Sequence, residues 1–176
     1  MFVNVDWFFL SHRLPIAKAA QKNNIDMTVY TEFTRSHNKN LLDGFNLLSS
    51  PMRRRSKSVL HFILEFAKVY KIIQIGKPNL IHAVTIKPIL VMGVIARLTS
   101  TPFIGSISGL GPVFRADNFF AKLRLWIVLR IFRLVFQRKD ASVICQNCHD
   151  RDFLVSHDLC PIEKIILING SGVDLE

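Results

Sequence analysis

The 176-residue sequence has few cysteines, few acidic residues and no uninterrupted apolar run long enough to cross a bilayer. Its three cysteines are an odd number and no basic leader precedes the first apolar residues, so we expect a reducing, cytoplasmic location. The sequence contains only 13 acidic residues but 23 lysines and arginines, which gives a net charge of +10. This excess predicts an anionic partner: a nucleic acid, a phosphorylated substrate or an acidic lipid surface.

Glycine is also scarce, and no GxGxxG pattern occurs, so nicotinamide- and flavin-binding functions lose their main support. The run Cys145-Gln146-Asn147-Cys148-His149 fits the attachment pattern of covalent haem, and with His157 and Cys160 it suggests a metal cluster. We favour neither, because structural zinc prefers paired CxxC knuckles and nothing in the sequence indicates export to where haem is attached. The expectation is buried free thiols, no metal and no cofactor.

The stretch from Leu80 to Gly111 is expected to form the central strand–helix–strand unit of the fold. Leu80–Thr85 is a short apolar run that is typical of a buried strand, and Pro88 suits the first turn of a helix that runs to Leu98. Phe103–Ile107 predicts a second strand. Strands joined in this way are parallel, and ligands bind beyond their carboxyl ends. Four residues are therefore assigned to one functional edge: Thr85, Lys87, Gly109 and Gly111.

The rest of the chain continues the alternation of strands and helices. Further strands are expected at Phe2–Phe9, Ile25–Tyr30, Phe45–Ser49, Ala141–Cys145 and Lys164–Ile168. Further helices are expected at His12–Asn23, Ser58–Ile75, Phe119–Arg138 and from the Asn147 cap to His157, with surface loops at 35–40 and 52–57. The pattern predicts an α/β fold, a Rossmann-like, doubly wound and mostly parallel sheet. We expect one domain over residues 1–170, followed by the start of a linker at 171–176.

Cations are expected at the starts of two helices. Ser11 is predicted to cap the first helix, which places His12 and Arg13 in its first turn, and Lys87 occupies the same position in the central helix. A cation there opposes the helix dipole and costs a few tenths of a kcal/mol. An anionic substrate explains this arrangement, although a plain cap and solvated charges are the alternative.

The predicted helix Phe119–Arg138 carries a basic stripe. Trp126, Arg130, Arg133 and Gln137 follow Lys122 at offsets of 4, 8, 11 and 15, so the five residues share one face. This helix either packs on the sheet or lies on acidic headgroups, and we favour membrane contact. Nucleic acid is not favoured, since no helix-turn-helix and no aromatic-basic strand motif occurs. The membrane-contact residues are Lys122, Trp126, Arg130 and Arg133.

Five segments, in order along the chain, form a recognisable set: Phe8–Pro15, His82–Pro88, Ile107–Phe114, Gln146-Asn147 with Asp150, and Asn169–Asp174. Together they resemble segments of retaining GT-B glycosyltransferases of the family-4 type, which build bacterial surface polysaccharides such as capsule or O-antigen. The likeness is greatest to enzymes that add a hexose or hexosamine to a polyprenyl-diphosphate-linked glycan. Where many relatives hold paired glycines after the first strand, this chain has Asp6–Leu10.

The resemblance implies that this chain is the N-terminal, acceptor-binding half of a two-domain transferase, with the donor-binding half absent. It implies transfer from a nucleotide sugar to a lipid-linked or polysaccharide acceptor with retention, without metal, on the inner face of the cell membrane. The shortened chain alone is expected to be inactive. The alternative function is a non-catalytic membrane-binding module. The expected substrate-binding residues are Ser11, His12, Arg13, Thr85, Lys87, Gly109 and Gly111.

Overall fold

The computed structural model describes residues 1–34, 45–52, 59–114 and 118–170. Within these ranges the chain forms seven β-strands. The neighbouring strands described below pair in parallel. The chain divides into two compact units, with the boundary between Lys77 and Pro78. The predicted surface loop at 35–40, the basic residues at 53–57 and the linker at 171–176 lie outside the described residues.

The first unit holds three strands in the order β3-β2-β1. Phe2 and Val29, on β1 and β2, are almost fully buried. The predicted third strand at Phe45–Ser49 is confirmed to within one residue, and the predicted helix from Ser58 is confirmed as α3. The elements are β1 (Phe2–Val5), α1 (Asp6–His12), α2 (Leu14–Lys22), β2 (Thr28–Glu32), β3 (Asn46–Ser49) and α3 (Val59–Gly76).

The predicted first strand, Phe2–Phe9, is wrong beyond Val5, because α1 begins directly at Asp6. A carboxylate in a first helical turn is favoured by the exposed N–H groups there. The apolar residues that follow Asp6 belong to this short helix, and Phe9 is its buried apolar side chain. Ser11 is therefore not an N-cap: it lies within α1, and its hydroxyl donates to the carbonyl of Trp7 at 2.8 Å. The second helix begins after Arg13, with Pro15 in its first turn.

The second unit holds four parallel strands in the order β4-β5-β6-β7. The predicted strand, helix and strand of the central stretch are confirmed, and the parallel α/β fold class is confirmed with them. The elements are β4 (Ile81–Val84), α4 (Ile86–Leu98), β5 (Phe103–Ile107), α5 (Phe119–Phe136), β6 (Ala141–Cys145), α6 (Cys148–Ser156) and β7 (Ile165–Leu167).

Helix α4 is the buried helix of the second unit, as its nearly continuous apolar sequence predicts. Ile89, Met92 and Ile95 have no exposed surface. Helix α5 packs along α4 and contributes Phe132 and Phe136 to the same core, where the two rings meet edge to face at 5.4 Å. This packing fixes the ends of both helices relative to the strands they join.

Candidate functional site

In the second unit, the carboxyl ends of three neighbouring strands form one edge. The register pairs Val84 of β4 with Ser106 of β5, and Ile107 of β5 with Cys145 of β6. The N–H of Thr85 extends this ladder by donating to the carbonyl of Ser106 at 3.0 Å. The residues that directly follow the strands therefore share this edge, which is where ligands bind in open parallel sheets.

Thr85 has an unusual backbone at this edge. Its φ of 74° and ψ of 162° lie in a region that is nearly exclusive to glycine, yet threonine is β-branched. Such a conformation costs about 1–3 kcal/mol and is concentrated at active sites and ligand clamps. The carbonyl of Thr85 accepts from the N–H of Ile89 at 3.0 Å, which ties the strained residue to the first turn of α4.

Two further features of this edge agree with the expectations from the sequence. Lys87 is half-buried in the first turn of α4, where its charge opposes the helix dipole. Gly109 and Gly111 have φ values of 124° and 60°, and a Cβ on either would meet no atom within 4 Å. The two glycines are therefore required by the backbone turn and not by crowding, so the space in front of them is open.

Asn147 places a helix start at the same edge, after β6. Its side-chain oxygen accepts from the N–H of Asp150 at 2.8 Å, and its amide donates to the Asp150 carboxylate at 2.9 Å. This reciprocal arrangement confirms the cap that the sequence predicts for α6. The buried Asp150 therefore has a structural role.

In the first unit, Asp6 organises the carboxyl ends of β1 and β2. It is 1% exposed, and its carboxylate accepts from the Trp7 N–H at 2.8 Å and from both the N–H and the hydroxyl of Thr34 at 2.7 Å. Asp6 is not among the site residues predicted from the sequence. The available signal was an acidic residue directly after a short apolar strand.

Arg13 is buried between α1 and α2, at 4% exposure, and is not in a first helical turn as predicted. Burial lowers the pKa of its guanidinium. Nη1 makes a long contact of 3.4 Å with the carbonyl of His12, while Nε and Nη2 have no hydrogen-bond partner. Phe8 is near, with its ring centre 5.9 Å from the guanidinium carbon. Buried donors without partners are costly, so the site favours an anionic group.

His12 is the last residue of α1. Its ring stacks on Phe8 with centroids 4.4 Å apart, and its Nδ1 lies 2.5 Å from the Ser11 hydroxyl. The predicted site residues thus form two groups. One contains Ser11, His12 and Arg13 in the first unit, and the other contains Thr85, Lys87, Gly109 and Gly111 in the second. That they line a common cleft stays a prediction.

The outer face of α5 carries large apolar and basic side chains together. Phe119 and Phe120 are 75% and 80% exposed, and Trp126 is 55% exposed with the Arg130 guanidinium 5.2 Å from its ring centre. Arg133 also makes contacts within the fold: it donates to the carbonyls of His157 and Asp158 at 2.9 Å and thereby holds the end of α6, while its membrane contact stays a prediction. We call this surface the α5 face; it comprises Phe119, Phe120, Lys122, Leu123, Trp126, Ile127 and Arg130.

The expectation of buried free thiols is confirmed for two of the three cysteines and is wrong for Cys148. Cys145 and Cys160 are buried, and burial raises the pKa of each thiol to about 12, whereas Cys148 is exposed. Among the described residues no group of three or more His, Cys, Asp or Glu side chains is arranged to hold a metal ion. No helix in the described ranges is long and apolar enough to span a bilayer.

Solved structures share the fold at low sequence identity. A glycosyltransferase from Rickettsia africae has 16% identity and a TM-score of 0.59, covering 96% of this chain and 41% of its own. A UDP-N-acetylglucosamine 2-epimerase from Rickettsia bellii has 13% identity and a TM-score of 0.61, covering 97% and 44%. Anabaena Alr3699/HepE in complex with UDP and glucose has 15% identity and a TM-score of 0.56, covering 92% and 40%.

This chain therefore spans about two fifths of the length of each of these proteins. No curated protein sequence is significantly similar to it. The profile of the family described as "Glycosyl transferase 4-like" matches residues 1–147, which is most of the chain. Together with the parallel α/β fold, this match shows that the chain belongs to the glycosyl transferase 4-like family.

Proposed function

We propose that this chain is the acceptor-binding half of a retaining glycosyltransferase. It would act with a donor-binding half to move a sugar from a nucleotide sugar to a lipid-linked acceptor. Family membership supports the transferase class, and three neighbouring structures, one with UDP and glucose, support a nucleotide-sugar fold. The observation that carries the proposal is the strained Thr85, which lies beside Lys87 at an open, glycine-containing edge.

The chemistry proposed for these residues is binding and orientation. Lys87 supplies a positive charge next to Thr85, and Nε and Nη2 of Arg13, which have no hydrogen-bond partner, supply donors for a phosphate oxygen. Holding an acceptor hydroxyl in line with the donor sugar converts a bimolecular step into an intramolecular one and keeps water away. The glycine turn at Gly109 and Gly111 lets the acceptor approach the backbone closely.

A lipid-linked acceptor is supported by the position of the α5 face. Helix α5 connects the carboxyl end of β5 to the start of β6, so its first residues, Phe119 and Phe120, lie on the candidate edge side of the second unit. Both rings are largely exposed, and the cations Lys122 and Arg130 follow on the same helix. Aromatic and basic residues on one helix face are typical of interfacial binding to anionic lipid. A lipid-borne diphosphate would then reach the edge from the bilayer surface.

Two other functions compete with this proposal. A sugar-nucleotide epimerase is favoured by the Rickettsia bellii neighbour, whose fold is equally similar. A membrane-binding module without catalysis is favoured by the α5 face alone. They differ in product: a transferase gives a labelled glycolipid only when acceptor is present, an epimerase changes the nucleotide sugar without acceptor, and a module changes neither.

The test uses the complete enzyme that contains this chain, with a labelled nucleotide sugar and a polyprenyl-diphosphate-linked acceptor. Lys87→Ala should lower kcat/KM for the acceptor about tenfold or more, because a charge-assisted contact is lost. Lys71→Ala, an exposed lysine on α3, is the matched control and should leave kinetics unchanged. The isolated 176-residue chain should bind acceptor without turnover. Unchanged kinetics in Lys87→Ala, or efficient transfer by the isolated chain, would contradict the proposal.

A further inference from the structure

A second charged feature of the second unit lies away from the candidate site. It is an open groove with a volume of about 650 Å³, bordered by the end of α4, the second half of α5 and the turn that follows. Four of its seven lining residues are arginines, and the others are Ile131, Leu134 and Gln137. We call it the arginine groove; its arginines are Arg97, Arg130, Arg133 and Arg138.

The arginine groove is at the opposite strand edge from Thr85 and Gly109. Arg138 donates to the carbonyl of Thr101, just before β5, and the Phe103 N–H donates to the carbonyl of Asp140, just before β6. These contacts place the groove at the amino-terminal ends of β5 and β6. It is therefore not part of the edge proposed to bind the acceptor sugar, and its charge needs a separate explanation.

Part of that charge stabilises the fold. Arg133 pairs with Asp158 at 3.5 Å, Arg138 pairs with Asp140, and basic groups near helix C-termini are favoured by the helix dipole. Lys164 also faces this end of α5, since its ammonium donates to the carbonyls of Gln137 and Arg138. The two carboxylates neutralise two of the four arginines, so the arginine groove keeps a net positive charge.

Two arginines of the groove have no such anionic partner. Arg97 donates to the carbonyl of Leu134 at 3.3 Å and Arg130 lies over Trp126, and neither contacts a carboxylate among the described residues. In addition, Nη1 of Arg138 is buried without a hydrogen-bond partner, although its other nitrogens hold Asp140 and Thr101. The groove thus contains two exposed guanidinium groups without a carboxylate partner among the described residues. Guanidinium groups suit the oxygens of a phosphate, because their N–H donors form charge-assisted hydrogen bonds with them.

We propose that the arginine groove binds the phosphate of an anionic phospholipid headgroup. The proposal rests on the membrane contact of the proposed function and deepens it. Arg130 belongs to both surfaces, so a bilayer that contacts Trp126 brings its phosphates to the groove. Leu134 and Ile131 offer apolar contact to the upper part of a lipid, which a free phosphate does not use. Together with the exposed rings at the start of α5, a second contact at its far end, about 20 Å away, fixes how the helix lies on the surface.

The test measures binding of the chain to phosphatidylcholine vesicles with and without phosphatidylglycerol. Arg97→Gln should lower affinity for the anionic vesicles about tenfold or more, since a direct contact with a phosphate is lost. Arg124→Gln removes the same charge from an exposed position on α5 outside the groove, and should lower affinity at most about fivefold. Arg97→Lys, which keeps the charge without the planar fork, should fall between them.

Equal losses in Arg97→Gln and Arg124→Gln, with binding to anionic vesicles otherwise intact, would overturn the groove proposal and leave the membrane contact standing. No binding of the unaltered chain to anionic vesicles would overturn both. A soluble short-chain phosphatidylglycerol and inorganic phosphate separate the sources of the ligand. Tighter binding of the lipid supports the proposal, and equal binding of inorganic phosphate would overturn it in favour of a free-phosphate site.

Discussion

Gly93 of α4 lies directly against Val135 of α5. A Cβ placed on Gly93 would be 2.7 Å from both methyl carbons of that valine, closer than side-chain carbons ever pack. The glycine is thus required by the close approach of two helices, and not by backbone conformation. Both α4 and α5 begin at the candidate edge. The distance between the two helices therefore also positions Lys87 on α4 and the rings of Phe119 and Phe120 on α5.

Gly93→Ala should therefore destabilise the second unit. Overpacking of this kind costs about 1–3 kcal/mol of unfolding free energy, measurable by chemical denaturation. Gly76→Ala at the end of α3 is the control: no atom lies within 4 Å of the added Cβ, so stability should stay the same or rise slightly. Combining Gly93→Ala with Val135→Ala should recover part of the loss, and strictly additive effects would count against the contact.

Thr85→Gly should separate stability from activity. Glycine adopts the observed backbone without strain, so the unfolding free energy should rise by about 1 kcal/mol despite the extra freedom of the unfolded chain. Sugar transfer by the complete enzyme should fall roughly tenfold or more, because the edge is less rigidly held. Thr99→Gly, where φ is an ordinary −100°, should only destabilise. A loss of stability in Thr85→Gly would show that the threonine is not strained.

Arg13→Met should remove a buried charge without leaving a void. Replacing a poorly paired buried charge by an apolar side chain of similar length is neutral or stabilising by about 1–2 kcal/mol, which thermal unfolding detects. Pyrophosphate should raise the Tm of the unaltered chain and leave that of Arg13→Met unchanged. Arg151→Met, at a partly exposed arginine paired with Asp152, serves as the control and should keep the response to pyrophosphate. An unaltered response in Arg13→Met would contradict anion binding there.

A single thiol should react in the folded chain. With pKa values of about 12, Cys145 and Cys160 stay protonated at neutral pH, and both are buried, so only Cys148 should be modified by a maleimide at pH 7. Mass spectrometry should record one adduct on the native chain and three after unfolding. Cys148→Ser should abolish the native adduct. Rapid modification of that variant would show that the buried thiols are more accessible than the structure indicates.

The α5 face should report on membrane contact through Trp126. In a Trp7→Phe background Trp126 is the one remaining tryptophan, and its emission should shift to the blue with phosphatidylglycerol vesicles. Replacing Phe119 and Phe120 by serine should weaken binding about tenfold or more, because two rings no longer insert. Ile25→Ser, 56% exposed in the first unit, is the matched control. A Trp126 emission maximum that does not change when anionic vesicles are added would contradict the proposed membrane contact.

The central strands and helices could be predicted because their sequence and their environment agree. Ile81–Val84 and Phe103–Ile107 are short apolar runs with a buried helix between them, and Pro88 fits the first turn of that helix. The prediction for the start of the chain is wrong because there the local sequence pattern and the observed structure disagree. Phe8 and Phe9 continue an apolar run, and nothing in the run itself shows that a helix begins at Asp6, whose carboxylate accepts from Thr34, 28 positions away.

The sequence was enough to predict which edge of the sheet holds the candidate site, but not the backbone conformation and burial of its residues. Position after a parallel strand is enough to select Thr85 and Gly109. The positive φ of a threonine and the burial of Arg13 depend on packing between distant segments, which no local pattern records. The same holds for the arginine groove, since one strand and one helix, β5 and α5, separate Arg97 from Arg138 in sequence.

Helix α5 contains four lysines and arginines and no histidine, aspartate or glutamate. The charged side chains of this helix are therefore all cationic. Added salt would weaken their attraction to anionic lipid, because charges are screened over a Debye length of about 8–10 Å. The proposed attachment to a membrane would thus respond to ionic strength and to the lipid composition of the leaflet, and a cell that remodelled its lipids would redistribute the protein.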